Sequence, residues 1–191
     1  MVTDRFDRAI VAIDAANADD PNTILVHGEP RPKELAHAQL VSTWVVTLRP
    51  DASESLRLAA RAHHLRRWTV PRSSYPTGRG GYLRWRRDLH EQHAREVGEI
   101  LAGVGYDDAT ITRVQDLVRK RGLGKDSEVQ ILEDALCLVF LETQFHDLAA
   151  RLDAETLDGV IDKTLKKMSP AAIARVADLD LTSADRAKLT R

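Results

Sequence analysis

The chain has one cysteine, almost no net charge and no long apolar run, and each scarcity excludes a class of protein. With Cys137 alone, an internal disulfide and a Cys-x-x-Cys motif are excluded, which favours a reducing cytoplasm. The formal net charge of −1 gives no polybasic character, so charge alone does not indicate nucleic-acid binding. No apolar run approaches the roughly 20 residues of a membrane span, so we expect a cytoplasmic protein with no membrane partner.

Helical periodicity dominates the sequence and predicts an all-α fold, a single-domain helical bundle over residues 1–191. A folded chain of this length buries roughly 70% of the surface that the unfolded chain exposes, so it needs no disulfide or structural metal to fold. Thr3 is predicted to cap the first helix, and residues 18–32 are loop-like with a short extended piece at 24–26. Further helices are predicted over about 33–48, 53–68, 82–101, 108–121, 128–142, 155–168 and 170–177. The core lies at about 33–150, and the C-terminal helices, about 153–191, are peripheral.

Three predicted helices place a polar side chain where apolar ones belong. His63 and His64 face the packed side of the third helix, and His93 lies in the middle of the apolar stripe of the fourth. Glu133 and Asp134 interrupt a helix that is apolar on nearly every side. A buried carboxylate costs several kcal/mol unless it is paired, hydrogen-bonded or bound to a metal. The three helices therefore predict one shared polar site.

Imidazole nitrogens and carboxylate oxygens together suit a divalent cation such as Zn, Mn, Fe or Ni. Such an ion offsets the desolvation of a buried carboxylate and lowers the pKa of a bound water for attack on phosphorus. The predicted catalytic residues are Glu133, for proton transfer, and Asp134. The predicted metal ligands are His64, His93 and Asp134, with His63 and His37 as further candidates.

The same residues also have an interpretation without a metal. Interior histidines are often core residues with satisfied hydrogen bonds, and Asp134 can pair with Arg67 or cap another helix. In that case the cluster is a buried structural network. Replacing His64 by alanine would then lower stability by roughly 1–3 kcal/mol and touch no activity.

The loop VPRSSYPTGRGGY at 70–82 is surrounded by arginines that are interleaved with aromatic residues. Guanidinium groups match the geometry of phosphate, the loop glycines allow close backbone approach, and aromatic rings stack on bases. These features predict a group that binds phosphate or substrate: Arg67, Arg72, Arg79, Arg86, Tyr75 and Trp85. The alternative is that these arginines pair with neighbouring acids on a solvated helix face.

Residues from about 51 to 145 resemble a family of uncharacterised bacterial and fungal proteins classed only as a domain of unknown function. The stretches that carry this resemblance are AARAHHLRRWTVPRSSYP, GRGGYLRWRRDLHEQHA, GVGYDD and LEDALCLVFLE. With the flanking helices, the resemblance extends over most of the chain. It implies no particular activity.

The order of polar positions is also similar to that of the HD-domain metal-dependent phosphohydrolases. Those all-helical proteins use a first His, a His-Asp pair at the end of the next helix, auxiliary histidines and a later Asp. The resemblance implies that His37 takes the first position, His63 and His64 the pair, His93 an auxiliary place and Asp134 the final Asp. This chain has His-His where that family has His-Asp, so it lacks one carboxylate of the usual site.

Two functions are expected from these patterns. The first is an HD-like metal-dependent phosphohydrolase acting on a nucleotide or another phosphate ester, so that the partner is a phosphorylated small molecule. The alternative is a non-catalytic helical module that binds a nucleotide, RNA or a protein partner through the arginine and aromatic loop.

Overall fold

The computed structural model describes residues 4–26 and 28–189, and it confirms the all-α fold class. Its helices are α1 (Arg5–Ala18), α2 (Lys33–Leu48), α3 (Glu54–Ala62), α4 (Gly78–Gly103), α5 (Asp108–Val118), α6 (Ser127–Thr143), α7 (Phe145–Arg151), α8 (Ala154–Leu165), α9 (Pro170–Arg175) and α10 (Ser183–Leu189). The predicted cap Thr3 lies outside the described residues. Within those residues, no helix has both the length and the apolar character that crossing a bilayer requires.

A short antiparallel hairpin lies between α1 and α2, in the stretch predicted to be a loop. Its strands are β1 (Thr23–Val26) and β2 (Glu29–Pro32), with Thr23 opposite Pro32. Gly28 in the turn has a φ of 83°, a conformation that glycine adopts without steric cost. The hairpin places the start of α2 beside the end of α1.

Helix α6 connects the two clusters of buried apolar side chains that form the core. Every residue from 132 to 139 is buried, as expected for a helix that is apolar on nearly every side. In the larger cluster the buried side chains of α6 join those of α1 to α5, and in the smaller one its C-terminal half joins side chains of α7 to α10. Ala9 and Ile13 of α1 are fully buried in the larger cluster, so the core begins before residue 33.

Helix α3 ends at Ala62, earlier than the periodicity predicted. Ser53 caps its start by accepting a hydrogen bond from the backbone N–H of Leu56 at 3.1 Å. Beyond the helix, Arg66 adopts a left-handed backbone with a φ of 49°, and its N–H donates to Asn17 Oδ1 of α1 at 2.9 Å. This contact turns the chain, so that the two histidines at 63 and 64 lie in a turn instead of within a continuing helix.

Candidate metal centre and adjoining pocket

Three histidines from two segments meet beside the larger cluster, where His37 and His63 are buried and His64 is partly exposed. His37 lies in α2, while His63 and His64 follow the end of α3. The ring centroids of His37 lie 5.1 Å from those of both His63 and His64, and the latter two are 4.2 Å apart. One nitrogen from each ring lies within 4.8 Å of the other two, so the three side chains can hold one metal ion.

Hydrogen bonds determine which ring nitrogens carry lone pairs. His63 Nδ1 donates to the carbonyl of Ala60 at 2.8 Å, which leaves Nε2 unprotonated. That Nε2 accepts a hydrogen bond from His37 Nδ1–H at 3.0 Å, so an ion would replace this hydrogen bond after the His37 proton shifts to His37 Nε2. Two nitrogen ligands of one tetrahedral zinc lie about 3.3 Å apart, so the pair is close to the spacing that an ion requires. His64 Nδ1 donates to Glu34 Oε2 at 3.1 Å, which frees His64 Nε2 for a ligand.

Burial keeps these histidines neutral at pH 7. Loss of hydration lowers the pKa of His37 to about 3, and the nearby cations Lys33 and Arg67 lower it further. Burial likewise holds the pKa of His63 and His64 well below the usual value. Neutral imidazole is the form that binds metal ions, so the cluster is ready for a cation without losing a proton.

His93 supplies a fourth imidazole beside this cluster. It is fully buried on α4, its ring centroid lies 5.9 Å from that of His64, and burial lowers its pKa to about 3. Nδ1 donates to the carbonyl of Leu65 at 2.8 Å, whereas Nε2 is buried and has no hydrogen-bond partner among the described residues. A buried polar atom left without a partner costs about 1–3 kcal/mol. The unused lone pair of His93 Nε2 can bind a metal ion or accept a hydrogen bond from water on that ion.

Glu34 orients His64 from the first turn of α2. Its side chain is only 5% exposed, and its backbone N–H donates to Asp20 Oδ2 at 2.9 Å. Burial raises the pKa of Glu34 to about 7, although the cations Arg67 and Lys33 oppose that rise. A carboxylate that holds the second nitrogen of a ligating histidine is the usual support of a metal site. Sequence reasoning missed Glu34, although its position three residues before His37 places both on one helix face.

Glu34→Ala is expected to weaken metal binding without removing a ligand. Loss of the carboxylate that fixes the ring of His64 should lower zinc affinity by about 10- to 100-fold. Glu34→Gln, which keeps a hydrogen-bond acceptor, should recover part of that loss. Competition titration with a zinc-sensitive dye measures all three proteins, and equal affinities would contradict the orienting role.

A cavity of about 360 Å³ opens beside His64. Four cations line it, and they come from the turn after α3, from α4, and from the segments after α5 and α8: Arg67, Arg86, Lys120 and Lys167. His90 of α4 also lines it, and burial lowers the pKa of His90 to about 4. Among the described residues, Glu133 is the acid in the lining. The excess of positive charge favours an anionic ligand.

Lys120 and Lys167 share the carboxylate of Glu133. Lys120 Nζ pairs with Oε2, and Lys167 Nζ lies 3.5 Å from Oε1. Burial raises the pKa of Glu133, but the two lysines lower it more, so the group is ionised at neutral pH. One carboxylate cannot neutralise two ammonium groups, and the cavity keeps a net positive charge. Glu133, predicted to transfer protons, thus lies in the pocket wall as an ion-pair partner.

Asp134, predicted as a metal ligand and catalytic residue, is not part of the histidine cluster and does not line the cavity. Its carboxylate accepts the N–H of Ser169 at 2.8 Å, the hydroxyl of Ser169 at 2.6 Å and Nε2 of Gln130 at 2.9 Å. Successive residues on a helix point about 100° apart, so Glu133 faces the cavity while Asp134 faces the start of α9. Asp134 therefore holds Ser169, and Ser169 caps α9.

Asp134→Ala is expected to lower the free energy of unfolding by about 1–3 kcal/mol, because it leaves the polar groups of Ser169 without their acceptor. Zinc affinity should stay the same as in the wild-type protein. Urea unfolding and a zinc titration measure the two effects, with Asp147→Ala as an exposed control. A loss of zinc binding in the folded Asp134 variant would return this residue to the metal centre.

Some residues of the arginine and aromatic group line the cavity, and others form hydrogen bonds that stabilise the loop itself. Arg67 and Arg86 line the cavity. Arg72 instead donates to the carbonyls of Tyr75 at 3.0 Å and Pro76 at 2.9 Å, which holds the loop closed. The two aromatic residues of the predicted binding group also make hydrogen bonds within this region. Tyr75 donates to Asp88, and Trp85 donates to the carbonyl of Val70.

Arg79 is exposed on the first turn of α4 and makes no ion pair within the described part of the chain. It does not line the 360 Å³ cavity. Lys120, by contrast, is a cavity cation that sequence reasoning missed. It lies in the stretch RKRGLGK, which resembles the ordinary positive charge at the end of a helix. Lys120 has a left-handed backbone, with a φ of 58°.

Comparison with known proteins gives a family but no activity. A family model described as Domain of unknown function (DUF4202) matches residues 7–189. The match spans the four histidines of the interior and every residue that lines the 360 Å³ cavity. No curated protein and no solved structure matches the chain.

Proposed function

The chain belongs to the family of domains of unknown function DUF4202, and we propose that it is a metal-dependent phosphohydrolase acting on a nucleotide or another phosphate ester. One observation carries this proposal. His64 is shared between a cluster of neutral histidines that can hold a cation and a cavity whose lining is rich in cations. A site that binds a metal on one side of a residue and an anion on the other suits the hydrolysis of a phosphate ester.

His37, His63 and His64 would hold the ion, and His93 would bind either the ion or its water. Imidazole donors suit Zn, Fe and Ni, and Mn is also retained as a candidate. Once bound, such an ion supplies a Lewis acid and lowers the pKa of a coordinated water toward neutrality.

The phosphate group would lie among the cations of the cavity. Arg86 makes no ion pair within the described residues, so its guanidinium is free to donate two parallel hydrogen bonds to phosphate oxygens. Arg67 lies 3.9 Å from Glu34, a distance at which the pairing is weak, and it too can turn toward an anion. Lys120 and Lys167 would supply the remaining positive charge that stabilises the transition state.

The proposal includes an HD-like organisation of the site. Its support is that His37, the pair at 63 and 64, and His93 lie together, in the order that this resemblance implies. Asp134 does not join them, because its carboxylate is bound to Ser169. The proposed centre therefore has more histidines than the HD pattern. This favours an ion that prefers nitrogen ligands, such as Zn or Ni.

Phosphate release in the presence of added metal tests the proposal. Metal-free protein is loaded with Zn, Mn, Fe(II) or Ni and assayed with 4-nitrophenyl phosphate and a panel of nucleotides. We expect release of inorganic phosphate with at least one ion, and its loss on addition of a chelator. The proposal fails if the folded protein releases no phosphate from any of these compounds with any of the four ions.

A second candidate function is a non-catalytic module that binds a nucleotide, RNA or protein through the loop at 70–82. Arg79 favours it, because this guanidinium is exposed at the loop and has no acidic partner in the described chain. For such a module, Arg79→Ala abolishes the rise in melting temperature that a ligand causes, whereas His64→Ala does not. The hydrolase predicts the reverse for the two variants.

A further inference from the structure

A second cavity, of about 440 Å³, lies next to the metal centre and shares Arg67 and Glu34 with the proposed hydrolase site. Its walls come from the start of α2, the turn after α3, the loop at 70–82 and α4. The residues that matter for its chemistry are Lys33, Glu34, Arg67, Trp68, Arg72 and Trp85. Its volume falls within the roughly 300–1,000 Å³ that small-molecule sites occupy.

The walls of this second cavity are fixed by hydrogen bonds of their own. Trp85 Nε1 donates to the carbonyl of Val70 at 2.9 Å, which locks the indole against the loop. Arg72 is held by the carbonyls that it binds in the same loop, and Glu34 is held at its backbone by Asp20. A site that is already ordered does not lose side-chain entropy when a ligand binds.

The second cavity is positively charged. Lys33, Arg67 and Arg72 line it, against the single carboxylate of Glu34. Lys33 and Arg72 make no ion pair with any acid in the described residues, and the carboxylate of Glu34 already accepts a hydrogen bond from His64. An anion is the partner that this wall lacks.

Flat apolar surface accompanies the charge. Two of the three tryptophans of the chain, Trp68 and Trp85, line the cavity. The guanidinium of Arg67 lies over one face of the Trp85 ring, 4.7 Å from its centroid, so a cation and an indole meet in the same wall of the cavity. A ligand that has both a flat ring and a negative group suits such a cavity. Its ring packs against the aromatic wall, and its negative group pairs with the cationic wall.

We propose that the 440 Å³ cavity is a second binding site, which takes a small anion that carries a flat aromatic ring, such as a nucleoside monophosphate. The ring packs against Trp68 and Trp85, and the anion lies toward Lys33 and Arg72. The site does not depend on the proposed hydrolysis, because none of its contacts requires a metal. Arg67 and Glu34 belong to both regions, so a ligand here lies directly beside the histidine cluster.

Tryptophan fluorescence of the metal-free protein reads this site directly. AMP is the probe, with adenosine as a ring without the anion and ribose 5-phosphate as the anion without the ring. We expect AMP to quench fluorescence saturably and to bind about tenfold or more tightly than either fragment. Trp44→Phe should keep the quenching, because Trp44 lies outside the cavity and donates to Glu142 at 3.0 Å. Trp68→Phe should lose much of it.

Removal of the cation tests the charge half of the site. Lys33→Met should weaken AMP binding by about tenfold, whereas Lys125→Met, an exposed lysine elsewhere, should not change it. The inference is overturned if AMP causes no saturable quenching, if AMP and ribose 5-phosphate bind equally, or if Lys33→Met binds AMP as the wild type does. Failure of the hydrolase proposal is seen separately, as an absence of metal-dependent phosphate release while the quenching by AMP persists.

Discussion

His64→Ala is expected to remove metal binding and phosphate release together. The substitution deletes one of the three imidazoles that meet in the interior, and it also removes a wall of the adjoining cavity. A residue that only orients a ligand typically contributes 10- to 100-fold to metal affinity, so loss of the ligand itself should exceed about 100-fold. Isothermal titration of metal-free protein with zinc measures the affinity, and phosphate release from the loaded variant should fall to background.

The control for this substitution is a histidine that lies far from the centre. His146 is 71% exposed in its side chain and pairs with Asp185 in the C-terminal part of the fold. His146→Ala should therefore bind zinc and release phosphate as the wild type does. Circular dichroism establishes that both variants fold. A folded His64→Ala protein with unchanged zinc affinity would show that this histidine is not a ligand.

Arg86→Ala is expected to impair substrate binding while it leaves the metal in place. A hydrogen bond between a charged donor and phosphate contributes about 1.5–3 kcal/mol, which corresponds to roughly a 10- to 150-fold rise in KM. Arg86 is the first candidate for the proposed phosphate contact, because it lines the cavity and has no ion pair among the described residues. Steady-state kinetics with a phosphate ester gives the effect, and zinc titration should give the wild-type affinity.

Arg84 supplies the matched control for that change. It lies on the same helix two residues earlier, is exposed and does not line the cavity. Arg84→Ala lowers the net charge by the same amount, so it reports any general electrostatic effect on an anionic substrate. If both variants raise KM equally, long-range charge accounts for the effect and the cavity contact of Arg86 is refuted.

Much of the fold follows from local pattern. The apolar spacing in α2 and in the buried stretch of α6 predicts those helices, because burial of one face, or of every face, leaves a direct mark in the sequence. The end of α3 does not follow in this way. It depends on Arg66, whose left-handed backbone is supported by Asn17 of α1, and such a contact between distant segments leaves no periodic signal.

The candidate site divides in a similar manner. Interior histidines stand out, because a polar residue on an apolar face is visible in a single helix. Which neighbour a residue faces is decided by the packing of whole helices, and the adjacent residues Glu133 and Asp134 accordingly have different partners. Lys167 comes from a segment after α8 that sequence reasoning treated as peripheral, and only the tertiary fold brings it to the cavity.

The structural-network alternative makes a different prediction for the same histidines. If hydrogen bonds alone explain the cluster, each of its buried nitrogens should have a partner, as most buried polar groups do. His93 Nε2 has none in the described structure. This lone pair fits a ligand better than it fits a closed network.

The most direct test of this account is the metal content of the protein itself. Untagged protein is purified without chelators and examined by elemental analysis, and metal-free protein is then titrated with Zn, Mn, Fe(II) and Ni. The histidine cluster predicts that one transition-metal ion binds per chain and that the four ions compete for this single site. His64→Ala should lose the binding. A folded protein that contains no transition metal and binds none on addition would contradict the metal centre and the hydrolase built on it.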